Sequence, residues 1–265
     1  HCQVTLPKNI FNKIIDFGLN CSLYCQCILS DKIIGYTQDY AKTTFFGKKF
    51  SQKFTYCLPP ITAFQPERQY FNQLALKKNE DIWIGFAGRI AQEKGIEYLI
   101  EAIQDSNNPK IRLVFAGPYG QDVAGENSYY RKIKMLLTQN KIRHLFLGSL
   151  SGQQLAAFYR TIDVLVLPSI NSTEAFGMVQ AEAMLQGTPV IATDLPGVKI
   201  PIQLTKMGII VRQKNPKAIK AALSKILQSR HKYSNPTLIL QAKKIFNLKT
   251  TVSFYEQLIS NSSHL

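Results

Sequence analysis

The feature that most constrains the fold is a short apolar run that ends at a proline and is followed by a polar loop and a segment of helical pattern. The run comprises residues 162–167 and is almost continuously apolar, as is typical of a strand buried on both faces of a parallel sheet. Pro168 ends it, and apolar residues recur at helical spacing from Phe176 to Gln186. The sequence therefore predicts a strand, a loop and a packed helix, with Gly187 at the helix end and with capping chemistry from Asn171, Ser172 and Thr173.

A junction of this kind presents unpaired backbone N–H groups and the positive end of a helix dipole at the carboxyl edge of the sheet, where anions bind readily. Glu174 and Glu182 flank the junction. In a fully helical segment their α-carbons would lie about 12 Å apart and about 80° around the axis. The carboxyl groups of a glycosidase lie about 5 to 9.5 Å apart across one bond. The spacing therefore favours an elongated ligand touched at two ends with its phosphates between, such as a nucleotide sugar.

The run Glu174-Ala-Phe-Gly-Met-Val-Gln-Ala-Glu182 resembles the E-x7-E signature of retaining glycosyltransferases of family 4, also called group 1. These enzymes have the GT-B fold of two facing Rossmann-like domains. The resemblance implies that Glu174 lies by the transferred sugar and that Glu182 holds the ribose hydroxyls. It also implies that the donor is bound by the intervening segment, namely Ala175, Phe176, Gly177, Met178 and Val179. Without the resemblance, the same residues describe a capped helix that carries two surface acids.

A second motif precedes the first. Gly88-Arg89-Ile-Ala-Gln-Glu-Lys94-Gly95 resembles the GR-x4-KG loop of the same family, in which the Arg and the Lys grip the diphosphate of the donor. Arg89 can bond phosphate oxygens through two N–H groups, and Lys94 adds a point charge. Both would offset the negative charge that builds on the departing nucleotide. Taken alone, these two residues would be interpreted as surface cations.

Three further assignments follow from the resemblance. The exit of a predicted strand at residues 142–147 is where the family places the nucleobase, which points to Gly148 and Leu150. His1 stands where family members often carry a His that faces the sugar, although a lone His at a chain start is also typical of a frayed terminus. The turn at residues 117–120 departs from the tighter glycine turn of the family, so no donor contact is assigned to it.

The predicted fold class is α/β, with a Rossmann-like parallel sheet that forms a GT-B C-terminal domain. The chain begins with His1 rather than Met, and we interpret residues 1–62 as the end of a truncated N-terminal, acceptor-binding domain. Within it, helices are predicted at residues 9–29 and 38–46. Residues 63–80 are interpreted as a linker, residues 81–229 as the nucleotide-sugar-binding domain, and residues 230–265 as helices that cross back to the N-terminal domain.

The formal net charge of +15 is unevenly distributed, because no acid lies between Asp194 and Glu256. A basic face of this kind suits an anionic membrane surface, although a solvated lysine-rich surface is the alternative. Nucleic acid is not an expected partner, since no recognition motif accompanies the charge. No apolar stretch approaches about 20 residues, so no membrane span is predicted. We expect a cytoplasmic protein, and its basic stretch allows peripheral contact with the inner membrane face.

The five cysteines lie in the first quarter of the chain with no CxxC pair. A zinc site is therefore not expected, and their odd number and apolar settings favour buried, reduced thiols over a disulfide framework. They are Cys2, Cys21, Cys25, Cys27 and Cys57.

The two motifs together predict a retaining transfer of a sugar from a nucleoside diphosphate sugar to a hydroxyl of a glycan, a lipid-linked acceptor or a small molecule. Because most of the acceptor-binding domain is absent from residues 1–62, we do not expect the fragment to be active alone. Neither a metal nor a cofactor besides this co-substrate is expected, because Arg89, Lys94 and the helix amides would take the charge. Glu174 and His1 are the candidate catalytic residues. Two alternatives stay open at this point: a non-catalytic basic module that binds membrane or nucleic acid, and a GT-B sugar-nucleotide epimerase.

Overall fold

The computed structural model of the protein describes residues 10–106 and 108–262. The strands among these residues are β1 (Ile33–Gly35), β2 (Phe54–Tyr56), β3 (Ile82–Ala87), β4 (Ile111–Ala116), β5 (His144–Phe146), β6 (Val164–Leu167), β7 (Val190–Thr193) and β8 (Gly208–Val211). The α-helices are α1 (Ile10–Leu29), α2 (Gln38–Ala41), α3 (Phe45–Lys49), α4 (Arg68–Lys78), α5 (Ile96–Ile103), α6 (Asn127–Gln139), α7 (Gly152–Thr161), α8 (Met178–Leu185), α9 (Ile200–Thr205), α10 (Pro216–Gln228), α11 (Arg230–Tyr233), α12 (Pro236–Ile245) and α13 (Leu248–Ser262).

Six of the described strands form one parallel sheet in the order β5-β4-β3-β6-β7-β8. The strand predicted from residues 162–167 is β6 at the centre of this sheet, where Leu165 is in register with Gly85 of β3 and Val190 of β7. Every residue of β6 is buried, because helices cover both faces of the sheet and each face has its own apolar cluster. The expected α/β fold class with a Rossmann-like parallel sheet is confirmed.

The strand order creates a crevice at a defined place. The chain builds outward from β3 through β4 to β5, and then returns to add β6 on the other side of β3. The loops that leave β3 and β6 therefore diverge to opposite faces at the carboxyl edge of the sheet. Open α/β sheets bind ligands at such a switch point. Both sequence motifs follow these two strands, so the topology brings them to the same place.

The N-terminal part contacts the rest of the chain through α2 and through the segment after β2. β1 and β2 pair in parallel as a separate two-stranded sheet. Asp39 of α2 accepts a hydrogen bond from the N–H of Gly197 at 3.0 Å and lies 3.3 Å from the Nζ of Lys199. At the other end of the chain, Thr251 of α13 donates to the carbonyl of Leu58 at 3.4 Å. The last helix therefore packs against the segment that follows β2.

One secondary-structure prediction needs correction. The single helix predicted at residues 38–46 is split into α2 and α3, because the Oγ1 of Thr44 accepts from the N–H of Gly47 and starts a second helix. The polar segment at residues 63–80 contains the helix α4, whose Leu74 is buried where α4 packs against α7.

The prediction of buried cysteines is wrong for the described residues. Cys21 and Cys25 are exposed, and Cys27 and Cys57 are half-buried; all four are free thiols. The reason lies in α1, whose apolar positions also include residues that face solvent, such as Phe17 at 72 % exposure. Cys2 lies outside the described residues. Among the residues that the structure describes, none of the helices combines the length and the apolarity that crossing a membrane requires.

Candidate functional site

The two motif loops pack directly against each other at the switch point. The first loop, residues 88–95, follows β3, and the second loop, residues 168–177, follows β6. The N–H of Ile170 donates to the carbonyl of Glu93 at 3.0 Å. Gly95 has a φ of 62°, and a Cβ at this position would lie 2.5 Å from the carbonyl oxygen of Pro168. The motif glycine at residue 95 is thus required by the contact between the loops.

Lys94 and Glu174 form an ion pair across the two loops. The Nζ of Lys94 donates to Oε2 of Glu174, and the two side chains are 17 % and 21 % exposed. A half-buried pair of this kind is screened less by water than a surface pair. The structure therefore brings together the Lys of the first motif and the first Glu of the second motif, which lie 80 residues apart in the sequence.

Arg89 lies in the first loop but does not join this pair. Its Nη2 is 2.9 Å from Oε1 of Glu93, and its side chain is 59 % exposed. An exposed pair four residues apart contributes little to stability. The guanidinium is therefore available to a ligand that offers a stronger acceptor.

The helix α8 begins two residues later than predicted. Its N-cap is Gly177, with a φ of 73° and without a side-chain cap. A Cβ on Gly177 would lie 2.7 Å from Cδ2 of Leu167, so the turn into the helix needs glycine. The prediction that residues 171–173 cap the helix is wrong. Asn171 instead accepts from the N–H of Thr173 at 3.0 Å, which forms a turn inside the loop.

The first amides of α8 have no acceptor among the described residues. The first internal bond at this end runs from the N–H of Gln180 to the carbonyl of Gly177 at 2.9 Å. The preceding N–H groups of Phe176, Gly177, Met178 and Val179 make no hydrogen bond within the described part of the chain. Unpaired amides at the positive end of a helix dipole bind anions. This end of α8 directly follows the loop that carries Glu174.

Glu182 lies further along α8, facing α7. Its Oε2 accepts from the hydroxyl of Tyr159 at 2.8 Å. Burial raises the pKa of the Glu182 carboxyl, and the hydrogen bond from Tyr159 lowers that pKa in part. Glu182 and Tyr159 line a cavity of about 40 Å³ together with Phe64, Gly152 and other residues. Arg89, Lys94 and Glu174 do not line this cavity, so the prediction that Glu182 and these three residues bind the same donor molecule stays a prediction.

The predicted nucleobase residues lie at the next loop along the carboxyl edge. Gly148 follows β5 with a φ of 73°, and its carbonyl accepts from the N–H of Gly117 at 2.8 Å. Leu150 is half-buried against the apolar cluster that includes α8. The loops after β4 and β5 are thereby joined beside the first loop. His1 lies outside the described residues.

Sequence reasoning missed three residues that shape the site. Glu93, four residues after Arg89, could have been found from the helical spacing of opposite charges. Gly197 packs against the second loop, because a Cβ there would lie 2.1 Å from the carbonyl oxygen of Ala175. Tyr159 had no distinguishing signal, since an aromatic residue in an apolar helical pattern is typical of the core.

A family model described as glycosyl transferases group 1 matches residues 67–239, which is more than half of the chain. An uncharacterized glycosyltransferase of Methanocaldococcus jannaschii is 37% identical over 155 residues, which cover 57% of this chain and 37% of that protein. A D-inositol 3-phosphate glycosyltransferase of Corynebacterium glutamicum is 32% identical over 149 residues, which cover 54% of this chain and 34% of that protein. The matched region thus spans little more than a third of the length of these relatives.

Among solved structures, Anabaena HepE in complex with UDP and glucose superposes with a TM-score of 0.79. The superposition covers 92% of this chain and 67% of that chain, at 18% sequence identity. At this identity the likeness establishes the fold, which is the expected GT-B type of α/β architecture.

Proposed function

The chain belongs to the group 1 glycosyltransferases, and we propose that it acts as a retaining enzyme of family 4. In this proposal it transfers a sugar from a nucleoside diphosphate sugar to an acceptor hydroxyl, without a metal ion. The bond between the anomeric carbon and the phosphate oxygen breaks, and the acceptor oxygen bonds to that carbon as its hydroxyl proton is lost. The observation that carries the proposal is the Lys94–Glu174 contact beside the unpaired amides of α8.

The diphosphate of the donor is proposed to lie between Lys94 and the first turn of α8. The Lys94 ammonium supplies a full charge, and the N–H groups of Met178 and Val179 supply donors that have no competing acceptor in the described chain. Arg89 can leave its exposed pair with Glu93 and add two N–H groups. These groups would stabilise the negative charge that develops on the leaving phosphate, which is the role a metal ion has in other enzymes.

Glu174 is proposed to bind the transferred sugar. Its carboxylate is bonded to Lys94, so it is held within a few ångströms of any phosphate that this lysine binds. The sugar is attached to that phosphate, and its hydroxyl groups are suitable donors to a carboxylate. The acidic residue thus discriminates a sugar-bearing donor from the free nucleotide, which leaves after transfer. Glu174 would also favour release of the product, because its carboxylate repels the free nucleoside diphosphate once the sugar has been transferred.

Isothermal titration with uridine, guanosine and adenosine diphosphates tests the diphosphate site. One of them should bind, and Lys94→Met should weaken its binding by at least tenfold, because a charged partner of the phosphate is lost. Lys78→Met is a matched control. Lys78 is also half-buried, at 18 % exposure, and pairs with Asp163 at 2.7 Å, but Asp163 lies at the amino end of β6.

The control variant should bind like the wild type. Equal binding by Lys94→Met and the wild type would refute the diphosphate site. Proton NMR of the product formed from an α-linked donor then tests retention, which requires an α-linked product.

A further inference from the structure

A buried tyrosine hydroxyl donates a hydrogen bond to the carboxylate of Glu182. Tyr159 is 1% exposed in α7, and its hydroxyl donates to Oε2 of Glu182 at 2.8 Å. Among the described residues, this hydroxyl has no second hydrogen-bond partner. A buried hydroxyl that loses its partner is costly. The tyrosine therefore stabilises the position of one carboxylate oxygen.

The backbone that carries Tyr159 is held on both sides. The helix α7 begins with a capping box in which the side chains of Ser151 and Gln154 each bond the backbone of the other residue. Two residues before the helix ends, the carbonyl of Tyr159 accepts from Oγ1 of Thr188 at 2.5 Å. These bonds fix the hydroxyl before a ligand arrives, so its position does not depend on ligand binding.

The second oxygen of Glu182 is left for another donor. Oε1 makes no hydrogen bond within the described part of the chain, and the carboxylate borders the cavity of about 40 Å³ that Phe64 and Gln186 also line. Each carboxylate oxygen can accept more than one hydrogen bond. The bond from Tyr159 favours the ionised form of Glu182, which is the form that accepts from a hydroxyl.

We propose that Tyr159 is a positioning residue for donor binding: it fixes Oε2 of Glu182 and thereby presents Oε1 to the 2′-hydroxyl of the donor ribose. The inference rests on the proposed function, because it takes a nucleoside diphosphate as the ligand. The inference adds Tyr159, which no sequence motif identifies, and Tyr159 acts through Glu182 without contacting the nucleotide itself.

The test compares ribose with 2′-deoxyribose. The dissociation constants of the best-binding nucleoside diphosphate and of its 2′-deoxy form are measured by isothermal titration for each variant. The wild type should prefer the ribose form by about tenfold, as expected for a hydrogen bond to a charged group. Tyr159→Phe should reduce that preference to less than threefold, because the carboxylate is no longer held in position.

Tyr129→Phe is the matched control. Tyr129 is a second buried tyrosine that donates to a glutamate, Glu97, on the opposite side of the sheet. It loses the same kind of hydrogen bond, and it also loses the acceptor for the N–H of Ile96 at 3.0 Å. A general loss of stability would therefore appear in both variants. Tyr129→Phe should keep the full preference for ribose.

The outcomes separate this inference from the proposed function. A wild type that binds the nucleoside diphosphate without preferring ribose overturns the role of Tyr159 and leaves the diphosphate site intact. An undiminished preference in Tyr159→Phe also overturns it. A wild type that binds no nucleoside diphosphate overturns both. Should Tyr159→Phe not fold, Glu182→Gln decides the matter, because a preserved preference in that variant would exclude Glu182 as the ribose acceptor.

Discussion

Replacing Glu174 with glutamine should tighten the binding of a nucleoside diphosphate while it lowers the rate of sugar transfer. The ligand phosphate and the Glu174 carboxylate would share Lys94 as a partner. A phosphate oxygen about 2.8 Å from Nζ lies within about 5.5 Å of the carboxylate oxygen that Lys94 already bonds. At this separation and an effective dielectric constant of about 20, two unit charges repel by about 3 kcal/mol.

Partial exposure of both side chains reduces this repulsion. Glu174 is 21 % exposed, and salt and water screen the part of the field that reaches solvent. We take about 1.4 kcal/mol as the net effect, which is about a tenfold gain in affinity for Glu174→Gln. Transfer should fall, because the neutral amide is a weaker acceptor for the sugar hydroxyls than the carboxylate.

The assay is isothermal titration with the nucleoside diphosphate that binds, at low and at high salt, together with a transfer assay. Asp163→Asn is the control, since Asp163 is 19 % exposed, similar to Glu174, and pairs with Lys78 at 2.7 Å away from the site. Its nucleotide affinity should match the wild type. Unchanged or weaker nucleotide binding by Glu174→Gln, or full transfer activity, would refute the reasoning.

Three further outcomes are expected. Gly177→Ala should lower the free energy of unfolding by about 2 kcal/mol or more, because a left-handed backbone and a Cβ 2.7 Å from Leu167 are both unfavourable. The substitution should also weaken nucleotide binding, because it moves the α8 amides. Wild-type stability in urea denaturation would contradict this prediction. Burial raises the pKa of Glu182 above its ordinary value of 4.5, so the folded state binds the proton more tightly than the unfolded state. The contribution of this carboxyl to stability therefore falls as the pH rises from 4.5 through the raised pKa. Glu182→Gln should therefore gain stability relative to the wild type between pH 4 and pH 7 in urea titrations, and a constant difference would contradict the direction of the shift. Chelation with EDTA should leave transfer unchanged, and a loss that magnesium or manganese restores would refute the metal-independent proposal.

The sequence predicted the central sheet because its strands are short apolar runs that end at Gly or Pro. Residues 162–167 are the clearest example, and the structure has β6 (Val164–Leu167) there. It also predicted that Lys94 and Glu174 lie at one site, since both follow strands of the same sheet. Backbone contacts between loops were not predictable, because the close approach of Gly197 to Ala175 depends on tertiary packing.

Other errors arose where local patterns conflict with tertiary structure. Asn171 has the chemistry of a cap, but its side chain forms a turn within the loop, and Gly177 starts the helix instead. The apolar positions of α1 predicted burial of Cys21 and Cys25, yet both are exposed. Helical periodicity identifies the residues of a face, but it does not identify what covers that face.

The central claim is that a diphosphate binds between Lys94 and the amino end of α8. A crystal structure of the chain with a bound nucleoside diphosphate tests it most directly. We predict phosphate oxygens about 2.7 to 3.2 Å from Nζ of Lys94 and from the N–H groups of Met178 and Val179. A diphosphate bound elsewhere, with the Lys94–Glu174 pair intact and these amides without a ligand, would contradict the account.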